Sequence, residues 1–189
     1  MKITLEFLKK HNACSEGMKF VKENNLIGLE STDFIEKLIE LKKLQWANWL
    51  TVRVLCKIDN VKYAVYAAEH VIDIFEKEYP DDDRPRKAIK AAKAYIANPR
   101  QKTRDAAQSA AQSAAEASWR AWDNMNISVE SAAASAAEAA WSTCSNNMRW
   151  SAVDAALDAD RAVDVAGNRM LKKIINNGIK LLKEKLLCA

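Results

Sequence analysis

The residues best suited to chemistry lie between positions 69 and 86, where carboxylates and arginines surround a turn that contains two prolines. They are Glu69, Asp81, Asp82, Asp83, Arg84 and Arg86. An antiparallel helix pair could return Arg84 or Arg86 to the neighbourhood of Glu69. A guanidinium can hold a carboxylate through two parallel hydrogen bonds, which would then fix the crossing of the two helices. We expect this set to be a structural lock or a contact for a partner. The enzymatic alternative is a concave site that uses Glu69, Asp82, Arg84 and Arg86.

A second set of carboxylates is spaced as two i, i+4 pairs: Asp154, Asp158, Asp160 and Asp164. Residues four apart share one face of a helix, where like charges repel each other and favour exposure to water. Paired carboxylates can also bind a divalent ion or work as an acid and a base. We expect a solvated face, and the alternative is phosphate-like charge presented to a nucleic-acid-binding partner protein.

Six tryptophans are many for a chain of this size, and they fall into three pairs: Trp46 and Trp49, Trp119 and Trp122, Trp141 and Trp150. The members of the first two pairs are three residues apart, so each pair lies near one helix face. We expect those rings to fill space between alanine-lined helices. The third pair flanks a connection between helices, and an exposed tryptophan there is a candidate anchor for a partner.

Motifs of the familiar enzyme classes are absent from the sequence. It has no glycine-rich phosphate loop, no Ser-His-Asp or HExxH arrangement and no paired CxxC. His11 and Cys14 stand three residues apart, but zinc requires about four ligands, so we expect neither a metal nor a cofactor. The four scattered cysteines predict thiols in a reducing cytoplasm, and no apolar run reaches the roughly 18 residues of a membrane span.

The elements that must position these residues are helices. Residues 105–164 contain twenty alanines and neither glycine nor proline, a composition that favours continuous helix. Pairs of alanines recur every four residues, from Ala106-Ala107 through Ala110-Ala111 to Ala114-Ala115. Because the helix repeats every 3.6 residues, the alanine stripe drifts around the axis and contacts more than one neighbour. We therefore expect unusually close helix packing.

Capping residues, prolines and apolar spacing predict an all-α protein, an antiparallel bundle or short superhelix of about eight or nine helices. The predicted helices span residues 4–12, 13–24, 31–54 as one helix or as two broken near Lys42, 60–79, 85–97, 101–123, 128–145, 147–166 and 168–187. We divide the chain into an N-terminal helical pair (1–30), a helical core (31–99) and alanine-rich helices with a closing helix (100–189). The three parts are expected to form one compact domain.

Two adjacent blocks carry a family resemblance. Residues 66–76 read YAAEHVIDIFE and residues 79–89 read YPDDDRPRKAI, giving an AE pair, an apolar helix, an acidic turn, RPR and AI. This signature resembles the immunity-protein-five-like group, whose members also have alanine-rich helices. Phage and prophage relatives of that group show runs similar to ACSEG at residues 13–17 and WANWL at residues 46–50. Cellular members often carry late histidines, whereas this chain has none after His70, so a role that depends on them does not transfer.

The resemblance implies a cytoplasmic, non-catalytic protein that neutralises another protein by stoichiometric binding. Its target would be a toxin, a nuclease or, for a phage-borne copy, a host defence protein. Residues 105–164 carry a net charge of −6, which leaves +10 on the rest of a chain whose total is +4. That polarity suggests orientation toward a charged protein partner more than direct binding to nucleic acid, and the alternative is a solvated surface of uneven composition, which the sequence favours. The alternative is an assembly protein that forms a homodimer or larger homo-oligomer.

Overall fold

A computed structural model of the chain describes residues 1–124, 126–144, 148–163 and 169–187. These residues form eleven helices and no strand, apart from an isolated antiparallel bridge between Lys2 and Glu30. The all-α prediction is confirmed, with more helices than the eight or nine expected. The helices are α1 Leu5–Lys10, α2 Ser15–Glu23, α3 Ser31–Glu40, α4 Leu44–Val54, α5 Lys57–Glu69, α6 Ile72–Glu78, α7 Arg84–Ala97, α8 Gln101–Asp123, α9 Ile127–Trp141, α10 Met148–Val163 and α11 Arg169–Leu187.

Two interruptions raise the helix count. Lys42 adopts a left-handed conformation (φ 57°), so α3 and α4 are separate helices, which was one of the two expected arrangements. The single helix predicted for residues 60–79 is wrong, because the chain breaks after α5. There, Nδ1 of His70 lies 2.7 Å from the carbonyl oxygen of Tyr66, and the Val71 amide donates to Ala68, three residues back. The break brings Val71 and the start of α6 at Ile72 fully into the core.

Helix α9 is the centre of the alanine-rich part, with α8 and α10 packed along it and α5, α6 and α7 against it. Its small side chains allow backbones to approach closely. Ser135 is fully buried and donates its hydroxyl hydrogen across the interface to the carbonyl oxygen of Ala155 on α10, at 2.8 Å. The alanines at the centre of these helices are also fully buried, which agrees with the expected close packing.

The N-terminal helices join this body through a buried polar chain. Tyr63 of α5 donates its hydroxyl hydrogen to the side-chain oxygen of Asn48 on α4, at 2.8 Å. The amide nitrogen of Asn48 in turn donates to the carbonyl oxygen of Val153 on α10, at 3.2 Å. All three helices are therefore held in one relative position, since breaking either bond would leave a buried polar group unsatisfied.

Helix α11 closes the bundle against α3, α4, α5 and α10. It approaches α4 and α5 at Gly178, where a β-carbon would stand 2.5 Å from Cγ2 of Thr51 and 3.0 Å from the ring of Tyr63. Glycine at this position therefore permits a contact that any other residue would obstruct. None of the helices, over the described residues, is both long and apolar enough to cross a membrane.

Candidate functional site

The arginines in the first turn of α7 form two separate ion pairs. Arg86 contacts Glu76 of α6 with both Nε and Nη2, the Nε to Oε1 distance being 2.6 Å, and Nη2 also reaches Asp73 at 3.1 Å. Arg84 makes a two-point contact with Asp82, with Nε 2.8 Å from Oδ1. Hydrogen bonds from these arginines lower the pKa values of Glu76 and Asp82. Arg86 thus ties α6 to α7.

The other members of the set lie apart from these pairs. Glu69 pairs with Lys93 of α7 at 2.6 Å. The expected contact of Glu69 with Arg84 or Arg86 is not formed. Asp83 pairs with Lys87 at 2.9 Å, and Asp81 is exposed. The break between α5 and α6 explains the change of partner, because it separates Glu69 from the helix that carries Glu76. The four residues of the enzymatic alternative are therefore engaged in three different ion pairs.

Four carboxylates on α9 and α10 are close enough to interact electrostatically, since Glu130, Glu138 and Asp154 each act on Asp158. Burial and the neighbouring carboxylates raise the pKa of Asp158 to about 7, against the favourable effect of Arg161. Burial also raises the pKa values of Glu138 and Asp154. The charged forms of these groups are therefore poorly compensated within the folded chain.

The late aspartates are less solvated than their spacing suggested. The side chain of Asp158 is 14 % exposed, so the expectation of a fully solvated face is wrong there. Asp160 is buried and accepts a hydrogen bond at 2.8 Å from the backbone amide of Leu171, near the start of α11. Its carboxylate thus has a structural role at the positive end of a helix. Asp154 is exposed, and Asp164 lies outside the described residues.

Trp119 and Trp122 are 72 % and 62 % exposed, so the prediction that this pair packs inside the protein is wrong. The buried stripe of α8 consists of small residues such as Ala114 and Ala121, and both indoles lie beside it. They border a surface cavity of about 410 Å³ together with Glu130. Large indoles do not fit where α8 and α9 approach closely through alanine.

The remaining tryptophans differ in environment. Trp46 and Trp49 pack within the protein as expected, Trp46 against Phe20 and Trp49 against the guanidinium of Arg53. Trp141 is half-buried on the alanines between α7, α8 and α9. Trp150 is 57 % exposed and also lies against Arg53.

We call Trp119, Trp122, Glu130, Glu138, Asp154 and Asp158 the aromatic–acidic face. Glu130 joins its two halves, since it lines the cavity beside both indoles and acts electrostatically on Asp158. Sequence reasoning missed Glu130 and Glu138, although their eight-residue separation along α9 places both on one side of that helix. Within the described ranges, no group of three potential ligands is arranged to hold a metal ion.

A rigid helical scaffold with exposed tryptophans beside carboxylates has the features of a protein-binding module. The chain belongs to the Imm-5 like putative immunity protein family, whose model matches residues 54–185. Membership indicates an immunity-type role and implies binding to a partner protein. The match spans α5 to α10 and most of α11, whereas α1 to α3 lie before it. Comparisons with curated proteins and with solved structures gave no significant match.

Proposed function

We propose that the protein neutralises a partner protein by stoichiometric, non-catalytic binding through the aromatic–acidic face. The observation that carries the proposal is the exposure of Trp119 and Trp122 next to Glu130 in a member of an immunity-protein family. Exposed indoles provide large, rigid contact areas, and tryptophan is enriched among the residues that dominate binding energy at interfaces.

Charge defines the chemistry of the partner. In the described part of the chain, no lysine or arginine lies within 4 Å of Glu130, Glu138 or Asp154, and Arg161 pairs with Asp158. A basic surface would supply the missing cations and would also be attracted at a distance by this acidic segment. We infer a partner with a nucleic-acid-binding surface, such as a nuclease toxin or a host defence nuclease, met in the cytoplasm. Counter-defence by a phage-borne copy is the form that the sequence resemblance favours.

The packing of these helices and ion pairs gives less support to the two alternatives, a homo-oligomeric assembly protein and an enzyme. The alanines expected to mediate homo-oligomer formation are buried between helices of the same chain, for example Ala114 and Ala136. The carboxylates and arginines expected in an enzymatic site are engaged in separate ion pairs, Arg84 with Asp82 and Arg86 with Glu76.

Capture of partners from a host extract, with quantitative mass spectrometry, tests the proposal. Wild-type protein is compared with a Trp119→Ala/Trp122→Ala variant and with a Glu130→Gln/Asp154→Asn variant. We expect the wild type to retain one basic protein. The retained amount of that protein should fall at least tenfold with either variant. Trp150→Ala serves as the matched control, because it also removes an exposed indole, but one that lies against Arg53 and does not border the cavity beside Trp119 and Trp122.

Two results would contradict the proposal. If the retained protein binds both face variants as well as the wild type, the aromatic–acidic face is not the binding surface. If Trp150→Ala abolishes capture while Trp119→Ala/Trp122→Ala does not, the partner binds beside Arg53 instead. Circular dichroism of each variant establishes that the fold is retained before capture is compared.

A further inference from the structure

A largely apolar cavity of about 350 Å³ lies between the N-terminal helices and α10. Leu8 of α1, Val21 of α2 and Phe34 of α3 form part of its wall, while Trp49 of α4 and Leu157 of α10 form another part. The volume falls at the lower end of the range for small-molecule pockets, which are typically apolar with a few polar groups. The cavity is therefore of a size for a small organic ligand.

A buried arginine stacks on one of the residues that line this cavity, although it does not line the cavity itself. Arg53 is 8 % exposed, and its guanidinium carbon is 3.8 Å from the centroid of the lining residue Trp49. Nη1 donates to the Trp49 carbonyl oxygen at 2.8 Å, but among the described residues no carboxylate lies within 4 Å of the guanidinium. Buried arginines are normally paired with an anion, because transfer of an unpaired charge from water is costly.

Two further basic residues, Arg149 and His11, interact electrostatically with Arg53. Arg149, on α10, repels Arg53 electrostatically. Burial, as the larger cause, and this repulsion, as the smaller, lower the pKa of Arg53 to about 10. His11 precedes the lining residue Asn12, and its pKa is lowered by burial, then by Arg149 and Arg53. A carboxylate placed here would relieve the repulsion between two cations and give Arg53 the anionic partner that it lacks.

We propose that this cavity binds a small amphiphilic carboxylate, with its apolar chain among Leu8, Trp49 and Leu157 and its carboxylate on Arg53. A carboxylate suits the site better than a phosphate, since a monoanion loses less hydration free energy on burial than a dianion. The planar guanidinium also matches a carboxylate through two hydrogen bonds. The cavity volume suits an apolar chain of roughly ten carbons. This ligand site is separate from the aromatic–acidic face and does not depend on partner binding.

Titration with decanoate, followed by tryptophan fluorescence, tests the proposal, because Trp46 and Trp49 line the cavity. Decan-1-ol provides the uncharged probe of similar length. We expect saturable decanoate binding, with decan-1-ol at least tenfold weaker. Arg53→Met should weaken the binding of decanoate at least tenfold and leave the affinity for decan-1-ol nearly unchanged. Lys90→Gln, which removes an exposed positive charge elsewhere, should change neither affinity.

Cysteine alkylation gives an independent readout. Cys14 lines the cavity and is exposed, while Cys56 is exposed elsewhere. Decanoate should slow alkylation of Cys14 by N-ethylmaleimide and leave the rate at Cys56 unchanged. Leu157→Trp, which fills the cavity with a larger side chain, should abolish this protection.

The proposal fails if decanoate does not saturate, if decan-1-ol binds equally well, or if protection survives in Leu157→Trp. If Arg53→Met does not fold, Arg149→Gln provides the charge test, because Arg149 is exposed and its removal should weaken decanoate about threefold. Equal decanoate affinity in Arg149→Gln and wild type would then contradict recognition of the carboxylate by this end of the cavity.

Discussion

Asp158 accepts a hydrogen bond from Nη1 of Arg161 at 2.9 Å, yet its pKa is raised to about 7. Burial and three neighbouring carboxylates outweigh the single cation. The negative charge on this face is therefore held at a cost in stability. Under the proposed function a basic partner relieves that cost on binding, so the proposed binding and the stability of the free protein are opposed at this surface.

Asp158→Asn should stabilise the protein at pH 8. A carboxyl whose folded pKa exceeds its unfolded value of 3.8 binds protons more tightly in the folded state, so stability falls as pH rises from about 4 through about 7. A tenfold difference in proton affinity between the two states corresponds to about 1.4 kcal/mol, which sets the gain on the order of a few kcal/mol at pH 8. Chemical denaturation at pH 8 and at pH 4 measures it, and the gain should nearly disappear at the lower pH.

The exposed Asp81→Asn provides the control for that measurement. It removes the same charge from the turn before α7, and its effect should stay within about 0.5 kcal/mol at both pH values. A loss of stability in Asp158→Asn at pH 8 would mean that the Arg161 pair outweighs burial and repulsion.

Arg86→Gln should destabilise the junction of α6 and α7 by about 1 kcal/mol at pH 7, because it removes a two-point contact to Glu76 that is only partly shielded from water. The pKa of Glu76 is lowered in the folded state, so this stabilisation is complete above its ordinary value of 4.5. It is lost as pH falls through the folded value. Thermal unfolding of both proteins at pH 7 and pH 2.5 tests this dependence.

Arg120→Gln is the matched control for Arg86→Gln. Arg120 is 59 % exposed and stands 3.5 Å from Asp82, so its removal should change the free energy of unfolding much less. Equal effects of the two substitutions would contradict a locking role for Arg86.

Gly178→Ala should lower the free energy of unfolding by about 1–3 kcal/mol. Alanine is favoured over glycine within a helix by about 1 kcal/mol, but its methyl group would stand 2.5 Å from Cγ2 of Thr51. The steric term therefore outweighs the helical preference. Asn176→Ala on the exposed side of α11 should be neutral or stabilising, and a stabilised Gly178→Ala would show that α4 and α11 can separate without cost.

Ala136→Leu should destabilise the bundle by about 1–3 kcal/mol, because the fully buried methyl group lies where α9 is surrounded by other helices. Urea denaturation measures the effect against Ala134→Leu, a half-buried position on the same helix. The close packing described above is contradicted if the two leucine variants are equally stable.

The helical fold could be predicted because composition and capping determine it locally. Alanine-rich segments without glycine or proline left α8, α9 and α10 no competing conformation, and Thr4 caps α1 through its hydroxyl as expected. The break after Glu69 could not be predicted in the same way. It depends on how Val71 and Ile72 reach the core, which is a tertiary effect on residues with an uninterrupted helical pattern.

The candidate site was predicted in part. The spacing of Asp154 and Asp158 placed them on one face, but the burial of Asp158 depends on α9, which also contributes Glu130 and Glu138. The exposure of Trp119 and Trp122 follows from the close approach of α8 and α9, which a single-helix pattern does not contain. Arg53 was missed because one of the two tryptophans beside it, Trp150, lies on α10, although the other, Trp49, precedes it by four residues on α4.

The most direct test of the central claim titrates the captured partner with this protein and follows loss of the partner's own activity. We expect complete inhibition at one protein molecule per partner molecule in 50 mM salt, and an affinity at least tenfold weaker in 300 mM salt because charge contributes to recognition. Trp119→Ala/Trp122→Ala should weaken inhibition at both salt concentrations. Retention of full partner activity at saturating protein, or inhibition that is equally strong with this variant, would contradict neutralisation through the aromatic–acidic face.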